Sequence, residues 1–294
     1  MEKYLSSLRG RASKTIKDKA YRLSFLVDYG ESFDVRGFFD YLVSRGLSYS
    51  TIRLVFQEVR SFFSWARREG YRVEFDEEEY KELWKGQRVR TKLRREIEYF
   101  TEDQAQKILD CISGRSGCKA KHPIWFLFTL VLLYSGLRVS EALSLRGEDL
   151  IVKRVIDDEG NEREFLFLRV KEGKFGKSRE VPMALLPDRY FEAIKKLFSK
   201  EDPWVYEIRY PKSVKKRRLN LASVERFYYE LSKEIGFKVR PHLFRYTYAV
   251  WLSSQGVPLE FVQDWLGHSS PNMTLKAYLK ARKEKEIEVL LRID

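Results

Sequence analysis

The sequence predicts a mainly α, α+β chain: a small helical bundle, then a mostly helical domain with a small antiparallel sheet. Three observations carry this prediction. Apolar residues recur at helical spacing through most of the 294 residues, residues 150–183 switch to extended runs divided by turn sequences, and a cationic segment separates two helical regions. Hydrophobic residues make up 44 % of the chain, enough for two moderate cores. Its 15 % aromatic and 34 % charged content excludes collagen-like and low-complexity classes and argues against disorder.

Helical periodicity begins at Ile16, Ala20, Leu23 and Val27. It continues through Val35, Phe38, Phe39 and Leu42, then Ile52, Val55, Phe56, Val59, Phe62, Phe63 and Ala66. About four helices fit this first region. In the stretch from Ile52, the side chains of Arg53, Gln57, Arg60, Ser64 and Arg67 share the face opposite the apolar stripe. A solvated basic face explains this pattern, and so does a helix laid in a DNA major groove, where Arg and Gln reach phosphates and base edges.

Lys85–Arg95, KGQRVRTKLRR, has six basic residues in eleven and no acidic one, Arg88, Arg90, Arg94 and Arg95 among them. It reads as a basic linker over 85–96, between a first domain of 1–84 and a second of 97–294. Residues 1–95 carry 21 basic and 14 acidic side chains, and the remaining 199 carry 35 and 29, so the smaller part is the more densely positive.

The second domain opens with Thr101 three residues before Gln104, a capping-box signature ahead of Ala105, Ile108 and Leu109. Pro123–Ser135 is apolar nearly all round and predicts a buried core helix. Extended runs at Ile151–Ile156, Glu164–Val170 and Ser178–Met183 are separated by DDEGN and EGKFG, which predicts the antiparallel sheet. From Leu185 helical periodicity returns to the end, interrupted by a loop with Lys212, Lys215, Lys216, Arg217 and Arg218.

The longest apolar run, Ile124–Tyr134, is well short of the ~20 residues that cross a bilayer. Met1–Arg22 mixes charges and has no apolar core of a signal peptide, so the expected location is the cytoplasm. Cys111 and Cys118, with only His122 nearby, make a poor zinc site, and no metal is expected. The net charge of +13 points to a polyanionic partner. Scarce Asn and Gln beside abundant Glu, Lys and Arg match the composition of proteins from hot environments.

Four short segments carry the chemistry. In YSGLRVSEALSL, Gly136 breaks the apolar helix, and Arg138 lies one turn before Glu141; alone, this is an ordinary helix start with an i,i+3 pair. In RPHLFRYTY, Pro241 suits the first helical position and sets His242 and Arg245 one turn apart, where both can address one anion. In LGHSSPNMTLKAY, Gly267 caps a helix, His268 sits in the break, and Tyr278 lies about two turns into the next helix. KEGKFGK is a hairpin tip that presents Lys174.

Taken together, SGLRVSEALSL, GKFGKSREVP, HLFR, LGHSS and AYLKA occur in the order found in the tyrosine recombinase (phage integrase and Xer) family. The chain resembles that family over essentially its whole length, and LSYSTIRLVFQEVRSFFSWA resembles, more loosely, its N-terminal core-binding domain. The resemblance implies a site-specific DNA recombinase that cuts and rejoins duplex DNA through a 3′-phosphotyrosine, with no ATP, metal or other cofactor. It implies catalytic roles for Arg138, Lys174, His242, Arg245, His268 and Tyr278: Tyr278 as nucleophile and Lys174 as general acid to the departing 5′-oxygen, with Lys177 and Lys171 as runners-up because a hairpin turn can slip. Arg138 and Arg245 suit the phosphorane electrostatically, the two histidines can donate to its oxygens, and Glu141 supports Arg138.

Where many relatives place His or Arg after the HxxR arginine, this chain has Tyr246, with Tyr248 close behind, and either phenol is a rival nucleophile. The implied assembly is a two-domain clamp on double-stranded DNA, a homotetramer on two sites, and a monomer or weak dimer when free. Arg53, Gln57, Arg60 and Arg67, with the linker arginines, are the expected DNA contacts. The apolar end of the tail, Ile287, Val289, Leu290, Leu291 and Ile293, needs a groove, either on its own catalytic domain or on a neighbour, and the resemblance implies exchange with a neighbour on DNA. Competing readings are a type IB topoisomerase or telomere resolvase, with the same tyrosine chemistry, and a catalytically silent DNA-binding protein.

Overall fold

The computed structural model describes residues 1–8, 10, 13–30, 33–91, 98–115, 123–156, 160–171, 178–210, 213–267, 275 and 279–280. The chain divides into two compact units, Met1–Arg95 and Glu96–Asp294.

Five helices, rather than about four, make up the described part of the first unit: α1 (Glu2–Ser7), α2 (Ser13–Tyr29), α3 (Val35–Ser44), α4 (Tyr49–Arg68) and α5 (Glu77–Thr91). Asp34 and Ser48 cap α3 and α4, accepting from the backbone N–H of Gly37 and Thr51. Leu23, Val35, Phe38, Leu42, Ile52, Val55, Phe56 and Val59 are buried, as their periodicity predicts. Val27 is not: it is 63 % exposed, and the buried side of α2 passes instead through Leu23 and Phe25. Mid-way along α4, Glu58 is buried, and it accepts from Tyr4 Oη at 2.7 Å and from Lys19 Nζ at 2.6 Å. One carboxylate thus joins α1, α2 and α4.

The segment read as a linker from Lys85 begins as helix. Leu83 and Trp84 pack on the aromatic core, and α5 continues through Thr91, because Lys, Arg and Gln are good helix formers that need no apolar period to extend an anchored helix.

In the second unit α6 (Glu102–Ser113) starts with the predicted capping box: Thr101 Oγ1 accepts from Gln104 N, and Gln104 Oε1 accepts from Thr101 N. α7 (Pro123–Ser135) is the central helix, in contact with α6, α8 (Val139–Ser144), α9 (Phe191–Phe198) and α11 (Pro241–Ser254). β1 (Leu150–Ile156), β2 (Glu162–Val170) and β3 (Arg179–Pro182) form an antiparallel sheet in that order. Its core side carries Leu166, Leu168 and Val170 of β2 and Val181 of β3. α10 (Leu221–Ile235) and α12 (Leu259–Leu266) complete the helices of the described residues.

The basic loop near residue 215 is instead a second hairpin, β4 (Val205–Tyr210) paired antiparallel with β5 (Ser213–Arg218). Val205, Tyr206, Ile208, Tyr210 and Val214 supply the strand propensity that the run of cations conceals. Arg218 fastens its base, donating through Nε to Asp202 at 2.7 Å and through Nη2 to the Leu143 carbonyl at 2.7 Å. Trp204, fully buried beside it, stands edge-on to Phe128 at 5.0 Å. Among the described residues no helix is long and apolar enough to cross a membrane.

Candidate active site

α7 ends where Gly136 enters the left-handed region at φ +60. A Cβ there would lie 2.7 Å from Tyr248 Cδ1 and 2.8 Å from Leu266 Cδ2, so glycine is required both for the turn and for close packing of α11 and α12. Two residues later Arg138 caps α8. Its backbone N–H donates to Glu141 Oε2 at 2.9 Å, and its Nη1 donates to Glu141 Oε1 at 2.6 Å. Only the return half of a capping box is present, since a guanidinium has no acceptor to offer the helix.

Pro241 opens α11, and Arg245 follows one turn later with 2 % of its surface exposed. A guanidinium buried this deeply needs acceptors in place of water. Arg245 Nη1 donates to the Gly136 carbonyl at 2.9 Å, and Nη2 donates to the Leu266 carbonyl. Arg138 Nη2 reaches the next carbonyl, that of Gly267, at 3.0 Å. The C-terminal end of α12, whose last carbonyls have no partner within the helix, therefore gathers both arginines. Gly267 closes that helix in the left-handed region at φ +62.

Burial pushes the Arg245 guanidinium below its ordinary pKa, as does the positive charge of Arg138. His242 lies at the exposed N-terminal turn of α11, with its ring edge-on to Tyr246 at 4.7 Å. Its pKa is lowered, first by loss of water on its inner side, then by Arg245 and Arg138. The ring is thus neutral at pH 7 and sits within the field of both arginines. Glu141, 6 % exposed, feels burial as an upward push, but Arg179 and Arg138 together bring its carboxyl below the ordinary range.

A third arginine completes this cluster, and the sequence reading missed it. Arg179, the first residue of β3, donates Nη2 to Glu141 Oε2 at 2.8 Å, Nη1 to Glu141 Oε1 at 3.2 Å and Nε to the Trp265 carbonyl at 2.7 Å. A usable signal was present. In a strand, Arg179 shares the phase of Val181, and an inward-facing arginine calls for a buried carboxylate.

A family model described as the phage integrase family matches residues 98–285. The chain belongs to the phage integrase family. It is 38 % identical over 99 % of its length to a probable integrase/recombinase of Aquifex aeolicus, covering 98 % of that protein. It is 28 % identical over 91 % of its length to a tyrosine recombinase XerA of Pyrococcus furiosus, covering 84 % of that protein. The fold resembles that of the Tn1549 transposon integrase solved in complex with circular intermediate DNA, with TM-score 0.65 at 15 % identity, over 98 % of this chain and 97 % of that one.

Of the six residues that the family resemblance marks as catalytic, the structure brings together Arg138, His242 and Arg245; Lys174, His268 and Tyr278 lie outside the described residues. Two rivals recede. Tyr248 is fully buried, its hydroxyl donates to the Pro182 carbonyl at 2.6 Å, and burial pushes its pKa far up, so it is an unsuitable nucleophile. Lys171 Nζ is held by Glu148 and lies 3.0 Å from Asp149 Oδ1; its pKa is raised, chiefly by the hydrogen bond to Glu148, which makes it a poorer proton donor. Tyr246 remains half-buried beside His242.

On α4 of the first unit, Arg53, Gln57 and Arg67 are exposed. Gln57, Arg60, Ser64 and Arg67 help line a groove of about 1080 Å³. Arg60 is less available than its periodicity suggests: it donates to both carboxylate oxygens of Glu77 and lies over the Tyr80 ring at 4.7 Å. Arg88 and Arg90 fall on α5, while Arg94 and Arg95 lie outside the described residues.

Proposed function

We propose that this chain is a site-specific DNA recombinase that breaks and rejoins duplex DNA through a 3′-phosphotyrosine on Tyr278. The observation that carries the reading is the pair Arg138 and Arg245, held on adjacent carbonyls at the end of α12 with a neutral His242 beside them. Two guanidiniums at one point suit a phosphoryl group that gains negative charge as it becomes pentacoordinate.

Tyr278 Oη forms a bond to phosphorus as the bond to the 5′-oxygen breaks. Lys174 gives that oxygen a proton, and His242, being neutral, can accept the phenolic proton. The 3′-phosphotyrosine keeps the phosphodiester energy, so a 5′-hydroxyl from the partner strand reverses the same step without ATP. His268, which follows the Gly267 turn, donates to a non-bridging oxygen. Glu141 orients Arg138.

Arg53, Gln57, Arg60 and Arg67, together with Arg88, Arg90, Arg94 and Arg95, are the proposed DNA contacts. On two DNA sites the protein works as a tetramer, with the tail around Ile287–Ile293 exchanged between neighbours; free, it is a monomer or weak dimer in the cytoplasm.

The test is a suicide substrate in which a nick beside the cleavage point lets the 5′-end diffuse away. Wild-type protein is expected to become covalently attached to the DNA, and Tyr278→Phe to bind equally well without attachment. Covalent attachment by Tyr278→Phe would overturn the assignment and direct attention to Tyr246.

A further inference from the structure

We propose that Arg179 is a positioning residue that holds the Glu141 carboxylate so that it does not cancel the positive charge Arg138 presents to the scissile phosphate. This inference rests on the recombinase reading above and concerns the same site.

Three guanidiniums, those of Arg138, Arg179 and Arg245, surround one buried carboxylate. The two partners of Glu141 divide it unequally. Arg179 engages both oxygens through two nitrogens, whereas the Arg138 guanidinium contacts Oε1 alone and turns its other nitrogen to the Gly267 carbonyl. The fork-to-carboxylate geometry is the stronger of the two. Side-chain exposure follows the same division: Arg179 retains 12 % and Arg138 29 %. The buried charge of Glu141 is thus answered mainly by the more deeply buried arginine, and the more open one keeps its charge for an anion. Remove Arg179, and Glu141 has Arg138 as its only neighbour among these contacts; the two would neutralise each other in a setting where charges are weakly screened.

Arg179 also occupies a place where little else fits. Its Nε donates to the Trp265 carbonyl, and a Cβ on Gly267 would stand 3.0 Å from its Cζ. The guanidinium therefore lies against the turn that leads to His268 and joins β3, α8 and the end of α12 at one point.

The experiment measures single-turnover cleavage of the suicide substrate, with DNA affinity and thermal melting recorded for each protein. Arg179→Met is expected to cleave about 100-fold more slowly than wild type, the order of effect of losing one preorganised electrostatic partner of a transition state. DNA affinity should stay within about 3-fold, since phosphates along the whole duplex dominate binding. Adding Glu141→Gln removes the stranded charge but keeps an acceptor for the Arg138 N–H, so the double variant should recover roughly 10-fold of the lost rate. A purely structural arginine predicts recovery of rate only in step with recovery of the melting temperature, so the rates are compared at a temperature where every variant is folded.

Cleavage by Arg179→Met within about 3-fold of wild type, or a double variant no faster than the single, would overturn the proposal. Should Arg179→Met melt below the assay temperature, Arg179→Lys is read in its place. Lysine retains the charge, so this variant should cleave within about 10-fold of wild type and gain nothing from Glu141→Gln, whereas a gain there would overturn the proposal. Absence of covalent product with wild-type protein would instead overturn the recombinase reading, and the same gel separates the two failures.

Discussion

At the scale of single residues, Arg138 is brought beside His242 and Arg245 from more than a hundred residues away, and the neutral side chain among the three offers a direct measurement. Arg138 and Arg245 both depress the pKa of His242, after the loss of water on its inner side. Proton NMR of the free protein should therefore find the His242 ring titrating below 6.5, with only three histidines to assign. A phosphate placed between the ring and the arginines would raise that value, so binding of site DNA to Tyr278→Phe should shift it upward. The sign for stability follows from the same direction. Below pH 6.5 the unfolded chain takes up a proton before the folded one, so this residue weakens the fold as the pH falls toward its folded pKa, and it makes no difference above the unfolded value. A free-protein pKa of 6.5 or more would contradict the combined lowering by burial and by the two arginines. Arg138, His242 and Arg245 were legible through the ordered set of motifs that resembles the tyrosine recombinase family, since the helical spacing of each motif alone is ordinary. Arg179 is harder to read because a strand arginine near Lys177 looks like surface; its shared phase with Val181 was the available signal, and its contacts with Glu141 and the Trp265 carbonyl show that it points inward.

At the scale of elements, the helices with strong apolar periods were legible and the cationic ones were not. The box at Thr101, the helix over Pro123–Ser135 and the Gly267 cap all follow from local chemistry that tertiary contacts reinforce. α5 and the β4–β5 hairpin were hidden because runs of Lys and Arg carry no apolar signal, although both elements are anchored by neighbouring aromatic or acidic residues such as Trp84 and Asp202. The junction of α7 and α8 shows how an element boundary sets the site. Gly136 supplies both the turn that releases Arg138 and the carbonyl that receives Arg245. Gly136→Ala should destabilise the protein by about 2–3 kcal/mol, from left-handed strain added to collision with Tyr248 and Leu266. Gly160→Ala is the control: φ there is +85, but nothing lies within 4 Å of the added methyl. It should cost about 1 kcal/mol, the conformational penalty alone. Chemical denaturation of both variants measures the difference, and equal losses would show that the packing around Gly136 can yield.

At the scale of the whole molecule, positive charge is spread over both compact units: residues 1–95 hold an excess of seven and the remainder an excess of six. DNA affinity should therefore fall steeply with salt, as contacts from each unit release counterions. The segment between residues 85 and 95 poses the sharpest question, because its cations have two competing explanations. The sequence of α5, EEEYKELWKGQRVRT, runs from acid to base, which suits the helix dipole whether or not DNA is present. On that account the arginines at 88 and 90 stabilise a helix end, each by a few tenths of a kcal/mol up to about 1 kcal/mol, and need touch nothing. If instead Arg88, Arg90, Arg94 and Arg95 each neutralise a phosphate, replacing all four with alanine should reduce the slope of log K against log salt by about 3 to 4, at roughly 0.9 per contact. Melting temperature separates the accounts. A variant that melts lower yet keeps the wild-type slope would assign these arginines to the helix, whereas a shallower slope with unchanged melting is the outcome expected of a segment that follows the DNA backbone.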